Sequence, residues 1–72
     1  MTNKIPILEG LNTTEWWVLQ ERIKAVKVDA LTQRNNGPTC IMMIRDNTGQ
    51  CYDIHFDLNG GSIFNPLKVR KL

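Results

Sequence analysis

Few side chains in this chain could do chemistry, and their spacing decides against most of it. There is one histidine, His55, one serine, Ser62, and two cysteines, Cys40 and Cys51. A nucleophile with its base would have to be Cys51 with His55. Four residues along a strand put both on one face but about 13 Å apart, at roughly 3.3 Å per residue, far outside hydrogen-bond reach. No catalytic residue and no enzymatic activity are expected. Asp53 and His55, two apart on that face, could share a metal, but two ligands do not complete a site. The C-x-x-C and H-x-x-x-H spacings are absent. Gly60-Gly61 lacks the following Lys-Ser/Thr of a phosphate loop and opens no helix, so neither metal nor cofactor is expected.

Charge and aromatic residues say more. From Leu58 to the end there is no acid, while Lys68, Arg70 and Lys71 gather on one short segment and Arg22, Lys24 and Lys27 form a second group. Cations near an exposed aromatic are the usual equipment for single-stranded nucleic acid. On that reading Lys68, Arg70, Lys71 and Trp17 form the binding site. The plainer reading of such a charge run is a solvated edge strand that discourages aggregation. Trp16-Trp17 is the other unusual feature. Adjacent helical positions differ in direction by about 100°, so a buried Trp16 leaves Trp17 half exposed. Tryptophan is enriched where partners bury against each other. Trp17, Ile41 and Met43 therefore make an alternative site, a protein interface.

The elements that must position these residues centre on Thr39 to Asp57, two apolar runs around Asp46-Asn47-Thr48-Gly49. Asp46 and Asn47 suit a type I turn, and Gly49 suits the left-handed residue closing a three-residue loop with a bulge. Asp46 then pairs with Gln50. Cys40, Met42 and Ile44 fall opposite Phe56, Ile54 and Tyr52 on an apolar face, and Ile41, Met43 and Arg45 fall opposite His55, Asp53 and Cys51 on a mixed one. A two-residue loop would mix polar and apolar residues on both faces, so the hydrophobic pattern selects the longer turn. Cys40 and Cys51 then point apart and are expected to be free thiols.

Upstream, Asn12 precedes Thr13, Thr14 and Glu15, an N-cap with an acid three residues on, and a helix should start there. Trp16, Leu19, Ile23, Val26 and Ala30 would form one stripe if it ran to Leu31. The competing reading ends the helix near Arg22 and takes Lys24 to Gln33 as a strand. A five-residue loop from Asn35 to Thr39 would then bring Val26, Val28 and Ala30 onto the apolar face. β-Branched Ile23, Val26 and Val28, and the inability of a lone hairpin to stand alone, decide for the strand. Residues 1–11 read as an extended arm that is ordered only if its apolar side chains find a groove. After a turn at Leu58 to Ser62, Leu67 to Leu72 alternate as a last, edge strand.

The expected fold class is α+β, a single domain over residues 1–72 with a short N-terminal helix and an antiparallel β-meander. The layout resembles small SH3-like or OB-like barrels, an analogy of fold that carries no function. A 72-residue chain has a thin core, and with Ile41, Met43 and Trp17 lacking obvious intrachain cover a homodimer is expected. No signal peptide or membrane span is visible, which points to the cytoplasm. A formal net charge of +2 neither demands nor excludes a polyanion. The expected function is a non-enzymatic module contacting nucleic acid through the basic last strand. The alternative is a protein-interaction or inhibitor domain, such as a small bacterial or phage accessory protein.

Overall fold

A computed structural model describes residues 5–72. The chain runs β1 (Ile7–Glu9), α1 (Thr13–Lys24), β2 (Val28–Asn36), β3 (Thr39–Asp46), β4 (Cys51–Asp57) and β5 (Lys68–Lys71). The strands form one open sheet in the order β1-β5-β4-β3-β2, antiparallel except where β1 runs parallel to β5. The α+β class stands. Its sheet is not closed, so the SH3-like or OB-like analogy does not extend to a barrel.

The hairpin forms in the expected register. Gly49 N–H donates to Asp46 O and Asp46 N–H to Gln50 O, at 3.0 and 2.9 Å, with Gly49 at φ +90°. Cys40, Met42 and Ile44 pair with Phe56, Ile54 and Tyr52. The Asn12 cap is also as read: its carboxamide oxygen accepts from Glu15 N–H while the Glu15 carboxylate accepts from Asn12 N–H, satisfying two donors that a helix start leaves free. Trp16, Leu19 and Ile23 follow at helical spacing and are buried together with Ile44, Tyr52, Ile54 and Val69. One helix thus covers one face of the sheet. Burial of each such side chain is worth about 1.5–3 kcal/mol against exposure.

Four expectations change. The last strand is not an edge: Ile7–Glu9, read as part of an arm, docks beside it with Leu8 partly buried on the core, so β5 is interior and the edges are β1 and β2. The helix runs on to Lys24, two residues past the expected stop, and β2 starts only at Val28. Val26 is therefore not on the apolar face but lies in the connection at φ +56°, 84% exposed. Its N–H donates to Ile23 O and the next, Lys27 N–H, to Arg22 O, closing the helix with a left-handed residue in the place usually held by glycine. Finally, Asn36 pairs with Thr39 around a two-residue loop, Gly37-Pro38, instead of the five-residue loop. A bulge at Leu31 compensates, because the extra residue returns Ala30 to Ile44 and Val28 to Asp46 on the helix side.

Candidate interaction surface

Successive strand residues point to opposite faces. With Ile44, Tyr52, Ile54 and Val69 under α1, their neighbours make up an outer face that no other element of the described residues covers. Strand pairing lines that face in rows. One row reads Ile7, Lys68, His55, Ile41 and Arg34, and the next reads Glu9, Arg70, Asp53, Met43 and Thr32. Ile41 and Met43 sit at its centre, half-buried, flanked by half-buried Asp53 and His55. Cys51 and Arg45 pair at one end of the face and Asp57 and Thr39 at the other.

Among the described residues the charges of this face are equal in number. Arg34, Arg45, Lys68 and Arg70 are balanced one for one by Glu9, Asp29, Asp53 and Asp57. The Lys68 ammonium lies 3.3 Å from Glu9 and the Arg45 guanidinium 3.6 Å from Asp29, while Arg70 lies directly across from both Glu9 and Asp53. These exposed pairs contribute little stability. Their effect is on the field: Lys68 and Arg45 carry counter-charges beside them, whereas among the described residues Arg34 and Arg70 are in no ion pair.

The structure separates the residues grouped by sequence. Lys68 and Arg70 share the outer face, but Lys71 is on the helix side with its ammonium 3.4 Å from Glu15. The Asn12 amide first, and then the Lys71 charge, hold the Glu15 carboxyl below its ordinary value against the opposing effect of burial. Trp17 stands on α1, 43% exposed, while Trp16 is buried as expected. Trp17 is therefore on the opposite side of the sheet from Lys68 and Arg70, and from Ile41 and Met43. One turn along, Gln20 donates to Phe64 O at 3.4 Å, and Phe64 is itself 48% exposed. Sequence reading passed over Phe64, because an aromatic in a turn has no periodicity to mark it.

Chemistry is sparse. His55 and Cys51 share the outer face with Asp53 between them, and among the described residues no three His, Cys, Asp or Glu side chains converge on a point that could hold a metal. Among the described residues two depressions are open and small. One of about 240 Å³ lies between α1 and β4, lined by Thr14, Glu15, Val18, Arg22 and Tyr52. The other, of about 210 Å³, is cupped by the Asp57 to Leu67 loop. Both fall short of the roughly 300–1,000 Å³ typical of small-molecule sites. Beside the first, Tyr52 is buried with its hydroxyl 3.4 Å from Asp46. That burial, and then the carboxylate, push the tyrosine pKa up. Among the described residues no helix is long and apolar enough to cross a membrane. No protein-family model, curated protein or solved structure matches this chain.

Proposed function

We propose that the chain is a non-enzymatic protein-interaction module whose outer sheet face docks a partner protein on Ile41 and Met43. The observation that carries this reading is the composition of that face: an apolar centre, no covering element among the described residues, and acids equal in number to its cations, two of which are held in ion pairs. Its partner has an apolar contact ringed by mixed charge, because a rim of both signs selects orientation while the centre supplies affinity. The nucleic-acid reading loses support from the same geometry. A phosphate backbone binds by releasing counterions from unpaired cations, and here Lys68 and Lys71 lie on different faces, each beside a carboxylate. Trp17 is not placed to stack bases held by Lys68 and Arg70. This reading gives the outer face to a partner protein and leaves a homodimer, from which so small a core would gain, to another surface.

The test uses the immobilised chain, wild type and Met43→Lys, against nuclease-treated lysate at low and high salt, beside titrations with single-stranded and duplex oligonucleotides. The expected result is a protein retained by wild type at both salt levels and lost with Met43→Lys, because a lone charge buried in an apolar contact is costly. Oligonucleotide binding that weakens steeply with salt, or retention that nuclease abolishes, overturns the proposal in favour of nucleic acid.

A further inference from the structure

β2 is an edge strand and the most exposed strand of the sheet. Every residue from Asp29 to Asn36 is exposed, and the strand is an edge along its full nine residues. Such an edge is a template for another strand unless something blocks it. β2 contains neither lysine nor proline, and its charged residues are Asp29 and Arg34.

The direction of its peptide groups follows from the neighbouring strand. Asp46 N–H donates to Gln50 O, so Asp46 and, two residues before it, Ile44 direct their peptide groups to β4. Their β2 partners Val28 and Ala30 therefore direct theirs away from β3, to the free edge. Beyond the bulge, Asn36 and Thr39 close the two-residue hairpin, and Asn35 and Gln33 alternate with Asn36 and Arg34, so they too face outward. Among the described residues these four, two on each side of the bulge, present unpaired donors and acceptors.

The bulge also decides which side chains share a face. Asp29 and Arg34 are five apart and in a regular strand would point to opposite faces. With Leu31 as the extra residue, both lie on the outer face with Thr32 between them. We propose that β2 pairs antiparallel with β2 of a second copy of this chain about a two-fold axis at Thr32. In that register Val28 meets Asn35 and Ala30 meets Gln33 of the other copy, all outward-facing and hydrogen-bonded. Asp29 lies opposite Arg34 twice, and Thr32 opposite itself. Opposite charges and paired threonines are favourable cross-strand neighbours. This charge complementarity is why the occupant is a second copy. A two-fold axis perpendicular to the sheet preserves its faces, so the dimer carries two outer faces side by side and leaves Ile41 and Met43 free. The inference thus goes beyond the docking role of that face and does not depend on it.

The test is sedimentation equilibrium on wild type, Asp29→Arg, Arg34→Asp, the double swap and Met43→Lys, each checked for native circular dichroism. Wild type should give twice the chain mass. Each single swap sets like charges opposite each other twice and should weaken the dimer about ten-fold or more. The double swap should restore it, and Met43→Lys should leave it intact. Independently, Thr32→Cys in a Cys51→Ser background should form a disulfide-linked dimer under mild oxidation, since residues opposed across a non-hydrogen-bonded pair lie within disulfide range. Arg34→Cys should not cross-link to itself. A monomeric wild type, single swaps without effect, or a dimer broken by Met43→Lys overturns the proposal. The last outcome would make the outer face the contact between copies and would not touch the salt and nuclease result for a heterologous partner.

Discussion

The Arg22 guanidinium meets the Asp46 carboxylate at 2.9 Å, tying the last turn of α1 to the end of β3. The Asp46 side chain has no exposed surface, and it also accepts from Thr48 N–H and hydroxyl at 2.9 and 2.6 Å and from Gln50 N–H at 3.1 Å. One buried carboxylate therefore holds helix, strand and turn together, and the loop that fixes the hairpin register is pinned from inside. Because those donors are aimed at a single charge, removing it leaves all of them without a partner.

Burial alone would push the Asp46 pKa up, but the Thr48 and Gln50 donors and the Arg22 charge outweigh it, and the net shift is downward. A carboxyl with a folded pKa below its unfolded value adds stability that is complete above the unfolded value of about 3.8 and is lost as pH falls through the folded one. Urea titrations at neutral pH and near pH 3 should therefore show a larger loss for wild type than for Asp46→Asn. At neutral pH Asp46→Ala should cost about 2 kcal/mol, as donors lose their partner, whereas Arg22→Met leaves the turn donors in place and should cost about 1 kcal/mol. Equal acid sensitivity in wild type and Asp46→Asn would show that the depressed carboxyl is elsewhere.

Val26 is the one described non-glycine residue with positive φ. A β-branched side chain there is strained by roughly 1–2 kcal/mol, and with its side chain in solvent no packing repays it. Val26→Gly should raise stability by about 0.5–1 kcal/mol after the added entropy of the unfolded chain is deducted, read as a rise in the thermal midpoint. A lowered midpoint would mean that the exposed valine makes a stabilising contact.

Gly61 turns the chain after β4, and a β-carbon there would lie 2.7 Å from both the N and O of Asp57. The obstacle is backbone that cannot step aside, and Gly61 N–H already donates to Asp57 O at 2.9 Å. Gly61→Ala should cost about 1–3 kcal/mol, by the usual penalty for overfilling a tight site. Chemical denaturation measures this directly, and a neutral substitution would contradict the close approach.

The two cysteines separate the sheet faces. Cys40 is fully buried and Cys51 half-buried on the outer face. Maleimide under native conditions should modify Cys51 and leave Cys40 until the chain is unfolded. Modification at Cys40 first would reverse the face assignment and with it the outer surface.

Local chemistry was legible in the sequence because it acts over a few residues. Asp46, Asn47 and Gly49 determined the turn and so the whole β3/β4 register, since a slip by one residue would have moved every apolar side chain to the wrong face. Asn12 and Glu15 determined the helix start in the same way. The helix end was not legible: no glycine marks it, and Val26 reads as strand by its β-branching while the hydrogen bonds that close the helix, Val26 N–H to Ile23 O and Lys27 N–H to Arg22 O, hold it left-handed. What only the tertiary structure decided is long-range. Nothing in Ile7–Glu9 says that it will lie parallel to β5, which turns an expected edge into an interior strand. Nor does local spacing reveal that Lys68 meets Glu9 and Lys71 meets Glu15, partners 59 and 56 residues away, leaving two paired cations on opposite faces where sequence shows a basic run. The bulge at Leu31 is the sharpest case. Residue counting puts Asp29 and Arg34 on opposite faces, and only pairing with β3 inserts the extra residue that brings them onto one face.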